Sequence, residues 1–352
     1  MIIPAAESKW KFNMSSLAEY TSQSSGIKIN RNTVVIPGEH REKFYHLFDA
    51  AGDSYILSRF LNELEQAEKL SKSYKRLESR LMQSLELENI NMLSDIFRFL
   101  HDPFIYLRRP LKSLIFNYLK GDIDISDFDE LACKSIISTY AKLFQAAYEI
   151  WIALAITSLL EPEACFQVSL AEFESIERTF HDGMPKKPPF PQASKSINFA
   201  HSNTVFIVPD LIVNSKRIGE YVAICVNPRQ ASTKAKELSS SRKWIHIGRD
   251  NTFDSEIMIY VDRDINNLAV VADRSMFAVP EVMVGCLTSA QDFNQKLEAI
   301  KINLSELSPS KGAYITSPII FEKLESPEIK YLATEYDENK LGTIIEALLP
   351  KN

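Results

Sequence analysis

The sequence predicts an α+β or α/β protein, with an N-terminal helical domain over about residues 1–140 and a mixed-sheet domain with a central β-hairpin over 141–352. Three observations carry that expectation. Apolar residues recur at helical spacing through the first third, as in Leu57, Phe60, Leu61 and Leu64 or Leu77, Leu81 and Leu85. The second half is filled instead with β-branched and aromatic runs, such as TVFIVPDLIV and EYVAICV. Between them stands an apolar helical block that ends near Pro162, so the helix carrying Glu149 belongs with the second domain.

Each element has a local reason. From Glu39 to about Glu88 the chain holds one Gly, no Pro and many strong helix formers. Asn89 to Tyr118 is a second helical block, broken at Asp102-Pro103 and at Pro110, because proline disfavours helix in the residue before it. Gly121 ends that block, and Asp124 to Asp129 offers capping residues for a third that runs to Leu160. Four to six helices are expected before residue 140. Ala164 to Leu170 reads as the first strand. The segment 182–196, GMPKKPPFPQAS with its flanks, has too few free N–H groups for helix or sheet and reads as a loop. Thr204–Val213 and Glu220–Val226, joined by NSKRIG, read as a hairpin. Gln230 to Ser240 has helical composition. Trp244–Ile247, Glu256–Val261, Asn267–Ala272 and Glu281–Leu287 are further strand candidates before a helix over 290–300.

Composition narrows the function classes. The chain of 352 residues is 45% hydrophobic and 24% charged, the mix of a globular protein with a real core. Four scattered cysteines without a C-x-x-C pair argue against a zinc site or a disulfide framework and fit a reducing, cytoplasmic setting. No signal-like N-terminal segment or membrane-length apolar run is present, so no membrane association is expected. With no phosphate-cradling glycine motif and only 10 glycines, no nucleotide cofactor is expected. A net charge of −6 means that any nucleic-acid contact rests on local basic patches. Two such patches are Arg108, Arg109 and Lys112 among aromatics, and Lys186-Lys187 in the proline-rich loop.

The chemistry-bearing residues are acids in apolar surroundings. Asp210 lies in an otherwise apolar segment, a costly place unless it is paired, hydrogen-bonded or metal-bound. With the turn centred between Lys216 and Arg217, Asp210 faces Ala223 and shares a side with Tyr221, Cys225 and Asn227. Glu149 sits in YEIWIALAITSLL among small and apolar helical neighbours. Two carboxylates converging on Mg²⁺ would lower the pKa of its bound water and hold a phosphate oxygen.

The order of these segments resembles the PD-(D/E)XK nuclease superfamily, which includes restriction endonucleases and transposon-end nucleases. The helix YEIWIALAITSLL is similar to the family's acid-bearing helix, VPDLIV to its Pro-Asp strand and AICVNPRQ to its third strand. The resemblance implies a restriction-endonuclease-like domain, a DNA partner, and Mg²⁺ held by Glu149 and Asp210. It also implies phosphodiester hydrolysis, with Lys234 or Lys236 as a migrated cation beside those acids. The third motif departs from the family: Cys225 stands where an acid belongs and Asn227 where a lysine belongs. A thiol is a poor ligand for hard Mg²⁺, and a neutral amide cannot offset developing phosphorane charge. A catalytically inactive nucleic-acid-binding or protein-interaction module, in a defence or mobile-element setting, is therefore the alternative, with the helical domain docking a partner.

Plainer roles stand beside each of these. Glu149 is equally readable as a surface or salt-bridged carboxylate. Asp210 also suits the end of a strand or a turn. Cys225 reads first as a small buried hydrophobe, and Arg108 to Lys112 as a helix-end clamp onto nearby acids.

Overall fold

The computed structural model describes residues 4–30, 33–168, 191–200, 208–227, 243–246, 256–273, 276–289, 293–320 and 329–350. The fold is mixed α/β, and it divides into two compact units. One comprises residues 1–72 and 97–144, the other residues 73–96 and 145–352. The units part at 144/145, and residues 73–96 group with the second unit.

The first unit is built from helices: α1 (Pro4–Gln23), α2 (Gly38–Arg59), the beginning of α3 (Leu61–Ser84), most of α4 (Ser94–His101), α5 (Pro103–Arg108), α6 (Leu111–Leu119) and the first part of α7 (Ile125–Leu159). Seven described helices therefore begin before residue 140, more than expected, because the prolines cut one block into three short pieces and α1 was not anticipated. Asp102 caps α5 by accepting from the Ile105 amide at 3.0 Å, with Pro103 in the first turn. Asp124 accepts from the amides of Ser126 and Asp127, both at 2.8 Å, and starts α7. The core of this unit is aromatic. Buried Trp10 meets the edge of Tyr55 with ring centroids 5.0 Å apart, and the Tyr55 hydroxyl donates to Asp129 at 2.8 Å.

The second unit holds an eight-stranded sheet. Its strands are β1 (Pro162–Val168), β2 (Pro191–Ala193), β3 (Leu211–Ser215), β4 (Glu220–Val226), β5 (Glu256–Asp262), β6 (Val282–Cys286), β7 (Gly312–Ser317) and β8 (Ile329–Ala333). The spatial order is β8-β7-β6-β5-β4-β3-β1-β2. Neighbours pair antiparallel from β2 to β6 and parallel from β6 to β8. The β6-to-β7 crossover is made by α8 (Phe293–Leu307), and α9 (Gly342–Leu348) closes the chain. One face buries Ile212, Ala223, Cys225, Met258 and Met283 against Leu297, Ile300 and Leu304 of α8. The alternate residues, among them Leu211, Val222, Ile224 and Ile257, are buried as well, so both faces are covered.

Four expectations change. The hairpin register is Leu211 opposite Ile224, which sets Asp210 against Cys225 in place of Ala223. The loop is 216–219, closed by Gly219 at φ +76° donating to the Ser215 carbonyl at 2.8 Å. That moves the turn centre by one residue and the pairing by two, so Asp210 keeps the side shared with Tyr221, Cys225 and Asn227. Asp210 itself precedes β3 and is not within a strand. Residues 265–268 form a 3-10 turn and not a strand, because Asp264 accepts from the Asn266 amide at 3.0 Å. Within the proline-rich segment, Pro191–Ala193 forms edge strand β2, with proline at the first strand position, which edges tolerate. The rest of that loop up to residue 190, and the helix anticipated over 230–240, lie outside the described residues.

Candidate functional site

The ends of β4 and β6 and the start of β5 come together at one end of the sheet. Side chains from α7 and α8 join them there. Glu256, the first residue of β5, extends the β4–β5 pairing to Asn227, whose amide donates to the Glu256 carbonyl at 2.8 Å. Asn227 follows β4 at φ +48°, a left-handed conformation that asparagine tolerates better than most residues. From there its Nδ2 donates to Glu149 Oε2 at 2.5 Å. Its Oδ1 is buried without a hydrogen-bond partner among the described residues.

Glu149 is 1% exposed, so the surface reading is overturned. Its second oxygen, Oε1, accepts from Gln145 Nε2 at 2.6 Å, one helical turn earlier on α7. The same Gln145 nitrogen donates to the Cys286 carbonyl at 2.9 Å. Gln145 Oε1 accepts from the Thr288 hydroxyl and from Lys296 Nζ, the latter at 3.2 Å. Glu256, 2% exposed, accepts from Asn303 Nδ2 at 2.9 Å. A continuous chain of polar contacts therefore runs from Lys296 through Gln145 and Glu149 to Asn227, then through its backbone to Glu256 and Asn303. Burial pushes the Glu149 carboxyl up to about 7, against the pull of the Gln145 and Asn227 amides and the Lys296 charge, while the Glu256 charge pushes the same way as burial.

Asp210 occupies a different position. It is half-buried, its Oδ2 accepts from the Val226 amide at 2.7 Å, and its own amide donates to the Ile224 carbonyl at 3.0 Å. Burial raises its carboxyl to about 7, opposed by the backbone amides of Val226 and of Asp210 itself. Buried Cys225 lies opposite it, its thiol pushed up by desolvation and then by the Asp210 charge. The site therefore brings Glu149 to Asn227, and Asp210 to Cys225.

Arg108 is directed at acids of its own unit, donating to Asp53 at 2.7 Å and lying 3.4 Å from Asp49, with 17% of its side chain exposed. That is the geometry of a helix-end clamp, with the guanidinium engaged by carboxylates. Arg109 lies 5.7 Å from the Tyr106 ring centroid, and Lys112 is exposed. Lys186, Lys187, Lys234 and Lys236 lie outside the described residues.

No known family, curated protein or solved structure matches the chain.

The Mg²⁺ expectation is tested by the donor set itself. A hard divalent cation takes carboxylate oxygens with free lone pairs directed at one point. Both Glu149 oxygens accept from side-chain amides, and Asp210 Oδ2 accepts from a backbone amide. Among the described residues no three or more His, Cys, Asp or Glu side chains are grouped to hold a metal ion. Among the described residues, Glu149 and Asp210 alone do not make such a set. Sequence reasoning missed Glu256, Lys296, Asn303 and Thr288. Glu256 carried a faint signal, as an acid opening the apolar run EIMIYV, while the other three are ordinary polar residues until strand pairing brings them in. Among the described residues, no helix is long and apolar enough to cross a membrane.

Proposed function

We propose that this chain is a nuclease-like DNA-binding module of the PD-(D/E)XK type that binds without cutting. The observation that carries this reading is the 2.5 Å hydrogen bond from Asn227 to Glu149. The residue standing in place of the motif lysine is a neutral amide, and it spends its donor on the acid that would otherwise hold a metal. The order of an acid-bearing helix, an Asp before a strand and a third strand beside it supports the resemblance in fold. Cys225, buried opposite Asp210, supports the loss of catalysis, because a thiol with its pKa raised by burial offers no anionic ligand at neutral pH. Exposed Lys112, with Arg109 beside it on the surface, is the described basic site best placed to meet a phosphate backbone.

The test is supercoiled plasmid incubated with the pure protein and Mg²⁺ or Mn²⁺, with EDTA and Asp210→Ala controls. Retardation without nicking, unchanged by EDTA and weakened by salt, is the expected result. Metal-dependent nicking that Asp210→Ala abolishes would overturn it. A second reading, a protein-docking module, is favoured by large apolar side chains exposed on the helical unit, including Phe12 at 69% and Ile105 at 55%. Absence of both retardation and nicking selects that reading.

A further inference from the structure

The exposed side of α3 changes sign along the helix. Glu65 and Glu68 come first, and the exposed charges that follow are Lys69, Lys72, Lys75, Arg76 and Arg80. We propose that Lys69, Lys72 and Arg76 form a track for the phosphate backbone of duplex DNA, a contact additional to Lys112. The inference rests on the binding reading above and gives it a surface that the reading does not use.

Residues 69, 72 and 76 stand at i, i+3 and i+7 of one uninterrupted helix. That spacing sets them within about 60° of one another around the axis and over about 10 Å of its length. Leu70, Tyr74 and Leu77 of the same stretch are 0% exposed, so the buried stripe fixes the rotation of the helix and turns the three cations to solvent. Lys75 is engaged elsewhere and Arg80 pairs with Glu338, so neither is counted in the track.

The three charges are not spent within the described structure. Glu65 and Glu68 stand four residues before Lys69 and Lys72, a spacing that suits ion pairs, yet neither pair forms. Among the described residues, Lys69 and Lys72 make no hydrogen bond or ion pair, and Arg76 meets the neutral hydroxyl of Ser73 at 3.5 Å. The helix dipole does not account for the cations either. It favours positive charge within the last turn, and α3 has no basic residue there. Like charges one turn apart, Lys69 with Lys72 and Lys72 with Arg76, weaken a helix. A polyanion relieves that repulsion, and its condensed counterions are released as the side chains replace them. Contacts of this kind position a protein on the duplex without reading its bases.

Fluorescence anisotropy of two duplexes of unrelated sequence with the full chain, titrated over KCl, reads the slope of log affinity against log salt. Lys69→Gln/Lys72→Gln/Arg76→Gln should reduce the magnitude of that slope by about 2.7, from about 0.9 per phosphate contact, equally for both sequences. Lys69→Arg/Lys72→Arg/Arg76→Lys keeps the charges and should leave the slope unchanged. Lys195→Gln/Lys216→Gln/Lys330→Gln removes exposed lysines of the sheet unit and should also leave it unchanged. Circular dichroism establishes that each variant is folded. If the triple variant is not, Lys69→Gln/Lys72→Gln takes its place, with an expected reduction of about 1.8. An unchanged slope in the folded neutral variant, an equal reduction in the Lys195 set, or a reduction confined to one sequence would each overturn the proposal. Should both neutral variants fail to fold, the side chains are structural and the proposal fails. Wild type that binds neither duplex overturns the binding reading and the track together. Binding by wild type with an unchanged slope in the neutral variant overturns the track alone.

Discussion

Glu149 shows how burial and hydrogen bonding oppose each other at a single carboxyl. Desolvation raises it from 4.5 to about 7, although two amides and an ammonium favour its charged form. Asp210 is raised in the same direction, from 3.8 to about 7. Between the ordinary carboxylate range and pH 7 the unfolded chain sheds these protons while the folded chain keeps them. The unfolded state then binds fewer protons, so stability falls as pH rises through that window and levels off above it. Glu149→Gln should flatten part of that fall, on the order of a few kcal/mol across the window, in denaturant titrations at pH 5 and pH 7.5. An unchanged slope in the variant would show that Glu149 is ionised at both values. The two acids were legible in the sequence because charged residues in apolar runs demand an explanation. Their partners were not. Asn227 and Gln145 became donors to Glu149 through a left-handed φ and a helical turn, geometry that no residue type announces.

Elements were most legible where one residue decides a boundary. Asp102-Pro103, Pro110 and Asp124 each mark a helix end or start found in the structure. Legibility was lost where long-range pairing decides. The hairpin was readable, but its register depended on Ser215 and Gly219 closing a four-residue loop. The strands β7 and β8 were missed because parallel strands are defined by neighbours distant in sequence. One close approach fixes how α8 lies on the sheet. A Cβ added at Gly285 on β6 would stand 2.8 Å from Ile300 Cδ1 and 2.9 Å from its Cγ2. Gly285→Ala should cost about 1–3 kcal/mol by forcing the helix off the strand. Trimming the opposing residue in Gly285→Ala/Ile300→Ala should recover part of that loss. Thermal melts of the two variants check it, and no recovery would place the strain elsewhere. Because α8 carries Lys296 and Asn303, the same shift should loosen the polar cluster at the strand ends.

At the scale of the whole molecule, the two units are not consecutive stretches of chain. Residues 73–96 belong with the sheet unit, and the contacts say why. Ser73 accepts from the Trp151 indole at 3.0 Å and donates to the Tyr336 carbonyl at 3.0 Å, while Arg80 pairs with Glu338. The short strand 89–91 pairs in parallel with 196–198. A fragment beginning at residue 141 leaves the buried Trp151 donor without its acceptor and should lack a cooperative melt by near-ultraviolet circular dichroism. A cooperative melt in that fragment would show the segment to be dispensable. Composition announced a helical part and a sheet part, but it could not show that the chain returns to complete one after beginning the other. The sheet carries a last consequence in how its outer strands end. Among the described strands, one border is the three-residue β2 opening with Pro191, and the other is β8 with exposed Lys330. An imide nitrogen cannot extend a ladder, and an ammonium resists being stacked against a second copy of itself. At the described borders, both features disfavour edge-to-edge stacking of one copy's sheet onto another's.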